Sequence, residues 1–284
     1  MVSIIIPVYN QYEKLKITLK SINESMHQSL AEVIVVDDGS EDSVDEVLEL
    51  KYNFNLKLIK LKKNCGRSAA RNIGVTYSTG DILIFVDADR FINREFINSH
   101  IKTLISSKKT VCIGQPVDFI CDEENTASEF LKSKCNESKF FDKIRPYPYA
   151  DASLNIFKSV NNHIEFQWIC LFSGNFSIRK NDYLEIGGFD EKYTSWGLEN
   201  IEFGLRITKL GYEILYNETA KNYHLYHKEN RIINISSLKE LAKDYNYKLI
   251  INYIRYCNGA ISLGEFCQDE ELIDVFIGDN YGKN

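Results

Sequence analysis

Ile82-Leu83-Ile84-Phe85-Val86 runs straight into Asp87-Ala88-Asp89, and this stretch decides the fold. Three of the five apolar residues are β-branched, which marks a short buried strand. The two acids then stand where that strand emerges. Carboxylates so close repel each other and are costly to bury unpaired. A divalent cation resolves the conflict, because hard cations prefer oxygen ligands. The carboxyl edge of a strand is also where open α/β sheets bind ligands. A D-x-D pattern is short and common, so a solvated Asp-Ala-Asp turn is the competing reading.

Working outward, the preceding chain alternates strand and helix signals. Residues 2–7 and 32–36 are apolar strands, and 56–61 is a third. Between them, 12–24 carries Leu15, Leu19 and Ile22 at helical spacing, and 43–50 reads as a helix capped by Ser40 or Asp42. Residues 68–77 form a helix that stops at Ser78-Thr79-Gly80. This β-α-β-α-β-α-β order predicts a mostly parallel sheet with helices on both faces, an α/β fold. From about 114 to 168 the chain is less periodic and holds three of the four prolines. It reads as a loop-rich excursion with one helix near 126–134, of the kind that forms lids or binding loops. Residues 235–256 read as a terminal helical region with Leu238, Leu241, Tyr245, Leu249 and Tyr253 on one face, and the tail from Gln268 frays.

Composition narrows the function classes. The chain has 284 residues, 44% apolar and 26% charged, ordinary for a soluble globular protein. No apolar run approaches the roughly 20 residues that cross a bilayer, so no transmembrane segment is expected. The first residues lack the basic region of a signal peptide, and cytoplasmic residence is the default expectation. The seven cysteines form no C-x-x-C pair, which points to free thiols rather than zinc or disulfides. The net charge of −6 argues against nucleic acid as a partner. The local cluster Lys57, Lys60, Lys62, Lys63, Arg67 and Arg71 is the exception, either a solvated face or a meeting point for phosphate.

Three strand ends share one edge in such a sheet: Pro7-Val8-Tyr9-Asn10, Asp37-Asp38-Gly39-Ser40 and Asp87-Ala88-Asp89. Tyr9 can stack on a base, and Asp38 can accept a hydrogen bond from a base N–H. Asp37 reads as a loop cap. Asp87 and Asp89 would hold a metal on a diphosphate, and Arg67 and Arg71 offer planar forks of donors to phosphate. A nucleotide diphosphate is the natural occupant.

These residues, with Gly66-x-x-x-Ala70-Arg71-Asn72-x-Gly74, resemble the nucleotide half of GT-A glycosyltransferases of family two. Phe172-Ser173-Gly174-Asn175, Gly187-Gly188-Phe189-Asp190-Glu191 and Trp196-Gly197-Leu198-Glu199-Asn200 are similar to the acceptor module of galactosyl- and N-acetylgalactosaminyltransferases, including chondroitin polymerases. Leu198 stands at the second glycine of the usual W-G-G-E pattern, and Asn200 stands where inverting members commonly carry Asp. The resemblance implies a GT-A fold divided into a nucleotide-sugar half (1–110), an acceptor and catalytic half (111–230) and a C-terminal helical extension (231–284).

It further implies a metal-dependent glycosyltransferase of glycan biosynthesis. A hexose or N-acetylhexosamine would pass from a UDP-sugar to an acceptor nucleophile, with inversion favoured. The acceptor is a glycan, a lipid-linked sugar, a peptide or a protein. The donor contacts would be Pro7, Tyr9, Asp38, Arg67, Arg71, Asp87 and Ala88. The metal, Mn²⁺ or Mg²⁺, would sit on Asp87, Asp89 and a later histidine, His224 or else His227. Glu199 is the expected base, with Asn200 and Trp196 beside it, and Glu202 is the fallback. Two have plainer alternatives, a first-turn helix carboxylate for Glu199 and core for Trp196, while Arg206 reads as a partner for nearby acids and Asp190 equally as a turn cap. Two other functions compete, a nucleotidyltransferase and a catalytically silent sugar-nucleotide-binding protein.

Overall fold

The structure, a computed structural model, describes residues 1–120, 124–147, 151, 153–155, 164–193, 197–227, 241, 243–245, 247–257, 260–262 and 265. Trp196, residues 228–240 (Leu238 among them) and the tail from 266 lie outside the described residues.

Strands β1 (Val2–Val8), β2 (Leu30–Asp37), β3 (Asn55–Lys60) and β4 (Ile82–Val86) form the parallel part of the sheet, with β1 between β2 and β4. Helices α1 (Tyr12–Glu24) and α2 (Arg67–Tyr77) are crossovers within it. The sheet continues through β8 (Asn175–Arg179), β6 (Thr110–Phe119) and β9 (Glu213–Leu225) to the short edge strand β5 (Arg90–Ile92). The β4–β8, β8–β6 and β9–β5 pairs are antiparallel, while β6 and β9 run parallel. The remaining strand, β7 (Ile144–Pro146), pairs with β6. Further α-helices are α3 (Phe96–Ser106), α4 (Glu124–Lys132), α5 (Lys180–Ile186) and α6 (Leu198–Lys209). Tyr247–Cys257 is α7, which overlaps the expected terminal helical region 235–256.

Strand alternation sorts the core onto the two faces of the sheet. Ile4, Ile6, Ile84 and Val86 join Leu15, Leu19 and Ile22 of α1 on one face. Ile5, Leu83 and Phe85 join Phe176, Tyr183, Phe189 and Phe203 on the other. A third cluster of Phe91, Phe119, Phe130 and Tyr223 packs beneath α4.

The structure corrects two sequence expectations. Residues 44–49 form a 3₁₀ helix, not an α-helix. Val44 and Val47 are the buried pair, and a spacing of three suits a helix of three residues per turn. Residues 110–119, where the loop-rich excursion was expected to begin, instead form a long buried strand. Gly114 and Pro116 disguise it, and the register shift between Gly114 and Gln115 shows how the chain accommodates them. A Cβ at Gly114 would stand 2.0 Å from the Ala220 carbonyl, so β9 could not approach another residue there.

The basic cluster divides in two. Lys57 and Lys60 pair with Glu32 and Asp45, while Arg67 and Arg71 turn to the cleft described next. Among the described residues Cys65, Cys112, Cys135 and Cys170 form no disulfide, and no helix is long and apolar enough to cross a membrane.

Candidate active site

A cleft of about 450 Å³ opens at the carboxyl edge of β1, β2 and β4. Pro7, Val8 and Tyr9 leave β1 into it, Asp38 follows β2, and Asp87, Ala88 and Asp89 follow β4. Gly66, Arg67 and Arg71 enter from the start of α2, and His224 and His227 from the end of β9. The three strand ends therefore line one crevice, and Tyr9 is 44% exposed at its rim.

The loops are braced from beneath. Asp37 Oδ1 accepts the Ser40 amide at 2.9 Å, the capping role read from the sequence. Asn10 and residues 40–41 tie the first two strand ends together, with bonds of 2.9 and 2.8 Å. Asp38 is buried, and its two oxygens accept the amides of Cys65 at 2.7 Å and Gly66 at 2.8 Å. It thus fastens the segment that begins α2, although burial pushes its carboxyl pKa up. Gly39 adopts a φ of +78°, and a Cβ there would meet the Lys63 carbonyl carbon at 2.6 Å.

Asp87 and Asp89 part company. A turn closed by Arg90 N–H donating to the Asp87 carbonyl at 3.1 Å breaks the strand's period of two, so the two carboxylates face different partners. Asp87 accepts from Arg71 Nη2 at 2.7 Å and lies 3.5 Å from Arg90 Nε. Gly174 makes room for it, since a Cβ there would lie 2.2 Å from Asp87 Oδ2. Asp89 turns instead to the histidines. Its Oδ2 is 3.0 Å from His227 Nε2 and 3.5 Å from His224 Nε2, and ligand atoms of all three residues lie within 4.8 Å of one another. The sequence reading set Asp87 beside Asp89 and chose one histidine. The described metal-type cluster is Asp89 with both histidines, and arginines hold Asp87.

Charge explains the cluster's protonation. Burial works to raise the Asp89 pKa, but hydrogen bonds from His224 and His227 hold it well below the usual carboxylate range. Burial works to lower His224, but Asp118 and Asp89 outweigh it and raise its pKa.

Glu199 lies in the first turn of α6, behind Arg71 and outside the cleft lining. It is 1% exposed. Its Oε1 is 3.8 Å from Arg67 Nη1 and 3.9 Å from Arg71 Nη1, and neither oxygen has a hydrogen-bond partner among the described residues. Asn200 follows it, with Oδ1 buried and equally unmatched. Glu202, the fallback base, is taken: Arg206 binds it at 2.8 and 2.6 Å, and Tyr245 donates to it at 3.2 Å. Arg206 is thus the acid's partner expected from the sequence. Asp190 caps a turn by accepting the Lys192 amide at 3.0 Å.

Sequence reasoning missed Gln11, Arg90 and Tyr147 on the cleft wall, and Asp118 behind it. Arg90 was within reach, being the next residue after Asp89. Tyr147 comes from the aperiodic middle segment, and its ring lies 4.8 Å from the Arg90 guanidinium carbon. No local signal in the sequence marks either Tyr147 or Asp118.

The chain is thus an α/β protein of the GT-A class, with arginines, a carboxylate–imidazole cluster and an exposed aromatic at the carboxyl edge of its parallel strands. Comparison with known proteins narrows the class. Glycosyl transferase family 2 matches residues 3–187, and the family described as N-terminal domain of galactosyltransferase matches 156–228. The chain belongs to glycosyl transferase family 2. It is similar to the uncharacterized glycosyltransferase YfnE of Bacillus subtilis (strain 168), at 27% identity over 80% of this chain and 65% of that protein. It is also similar to a chondroitin synthase of Escherichia coli, at 29% identity over 78% of this chain and 34% of that protein. The chain thus spans between a third and two thirds of the length of these relatives. The crystal structure of GalNAc-T7 with UDP, GalNAc and Mn²⁺ shares the fold, with a TM-score of 0.67 at 17% identity over 99% of this chain and 54% of that one.

Proposed function

We propose that this chain is a divalent-metal-dependent glycosyltransferase that moves a hexose or N-acetylhexosamine from a UDP-sugar to an acceptor nucleophile, with inversion. The observation that carries the reading is the Asp89–His224–His227 cluster at the wall of a cleft that Arg67 and Arg71 also line. The donor set fits a metal ion. It offers one carboxylate and two imidazoles, and His224 Nδ1 is occupied by Asp118, leaving Nε2 on the side of Asp89. One oxygen with two nitrogens suits Mn²⁺ better than Mg²⁺, which takes oxygen ligands. When bound, the ion supplies Lewis-acid neutralisation of the departing diphosphate.

The chain's own residues do the rest. Tyr9 stacks on the base, Asp38 keeps the loop beneath it closed, and Pro7 and Ala88 form the floor. Arg67 and Arg71 take the diphosphate oxygens. Asp87, gripped by Arg71 and Arg90, presents its remaining acceptor capacity to the ribose or the sugar. Glu199 accepts the acceptor's proton once the donor's phosphates draw Arg67 and Arg71 away and open a path to its two buried oxygens, which no described residue hydrogen-bonds. Asn200, next in α6, and Trp196, close in sequence, are assigned to the acceptor side. Residues 1–110 would then be the donor half and 111–230 the acceptor half.

The test is a panel of UDP-sugars with UDP release measured with and without Mn²⁺. Mn²⁺-dependent release from one donor is expected. Tight UDP binding with no turnover on any donor would leave a silent sugar-nucleotide-binding protein instead. Pyrophosphate release from a nucleoside triphosphate would restore the nucleotidyltransferase reading.

A further inference from the structure

We infer that Asp118 is a positioning residue, which fixes the His224 imidazole so that Nε2 is presented beside Asp89 as a metal ligand. The inference rests on the metal reading above. Asp118 and His224 are register partners on the parallel strands β6 and β9, so backbone pairing alone brings the side chains to one place. Both are buried, at 5% and 2% exposure. His224 Nδ1 stands 2.8 Å from Asp118 Oδ1 and donates to it, which leaves Nε2 as the atom facing Asp89. The ring has little freedom besides. Tyr147 meets it edge-on at 5.5 Å, and the Leu225 amide bonds to the Asp89 carbonyl at 2.8 Å, locking ligand strand to ligand loop.

His227 is built differently. It is a third exposed, and among the described residues no carboxylate backs its ring. Asp89 and His224 therefore form the rigid part of the cluster, and His227 the adjustable part. A carboxylate behind a ligating imidazole sets its tautomer and orientation, and losing it typically weakens metal binding by about 10–100-fold. Asp118 bonds to His224 and is not among the residues that line the cleft, so its effect runs through the ring.

The experiment is Mn²⁺ binding to the full chain without donor, followed by the free-ion electron paramagnetic resonance signal. Asp118→Ala should weaken Mn²⁺ binding by about 10–100-fold, while Asp118→Asn, which keeps an acceptor oxygen in place, should recover most of the affinity. The decisive control is a double-mutant cycle with His224→Ala. If Asp118 acts through His224, adding Asp118→Ala to His224→Ala produces no further loss. Spin-echo modulation from directly bound nitrogen should also show one imidazole fewer in Asp118→Ala than in the parent. Should that variant not fold, Asp118→Ser repeats the test, because its shorter side chain cannot span the gap to Nδ1. Unchanged Mn²⁺ affinity in a folded Asp118→Ala or Asp118→Ser, or additive losses in the cycle, would overturn the inference and leave the metal reading intact. A parent protein that binds no Mn²⁺ would overturn both.

Discussion

Glu32 lies where β2 begins, at the end of the sheet away from the cleft, and replacing it should separate stability from chemistry. The side chain is 1% exposed. Its Oε1 accepts from Ser3 Oγ at 2.7 Å, the Thr79 amide at 2.6 Å and Thr79 Oγ1 at 2.8 Å, and its Oε2 pairs with Lys57 at 2.5 Å. One carboxylate therefore joins β1, β2, β3 and the turn before β4. Burial works to raise its pKa, but these partners outweigh it and lower the value from 4.5 to about 2. A pKa depressed in the folded state means stability that is fully present above 4.5 and is lost as pH falls from there through about 2. A gap of about 2.5 pH units corresponds to about 3 kcal/mol. Lys57 keeps 33% of its side chain in water, which screens part of the pair, so about 2–3 kcal/mol is expected. Glu32→Gln should thus lower the urea-unfolding free energy by about 2–3 kcal/mol at pH 7, and the difference from the parent should shrink steadily below pH 4.5. Turnover per folded molecule at 25 °C should not change. A difference that is the same at pH 7 and pH 3, or one well under 1 kcal/mol at pH 7, would refute the linkage argument.

Three further variants probe the cleft. Asp89→Ala removes the carboxylate of the metal cluster, and Mn²⁺-dependent UDP release should fall at least about 100-fold while the circular dichroism spectrum stays that of the parent. Glu199→Gln should lower kcat by about 10²–10⁴-fold with donor affinity nearly unchanged, because a base acts in the transition state; single-turnover rates and UDP-sugar titrations separate the two. Gly174→Ala pushes a Cβ to within 2.2 Å of Asp87 Oδ2, so Asp87 must leave Arg71. A stability loss of about 1–3 kcal/mol and a raised donor KM are expected, read by thermal melting and steady-state kinetics.

The parallel strands were legible because burial on both faces makes β1, β2 and β4 continuous apolar runs, and each run ends abruptly in polar residues. Strand ends of a parallel sheet share an edge, so the sequence alone gathers Tyr9, Asp38 and Asp87 around one cleft. The antiparallel half was less readable. Gly114 and Pro116 look like a loop in sequence, yet they lie in a central strand whose neighbours tolerate them through a register shift. The helix expected at 43–50 shortened into a 3₁₀ turn because only Val44 and Val47 reach the core.

By itself, then, the sequence determined the α/β class, the edge on which the chemistry gathers and the residue types that serve phosphate and metal. All of these depend on local periodicity and on which residues follow a strand. Only the tertiary structure decided how the acids divide, with Asp87 going to the arginines and Asp89 to two imidazoles, that of His227 lying 138 residues along the chain. It also placed Asp118 behind His224, 106 residues away, and Glu199 behind Arg71 rather than on the cleft wall. Such pairings follow from the turn at Asp87–Arg90 and from the β6–β9 register. Both are set by how distant segments pack, and no local spacing in the sequence encodes them.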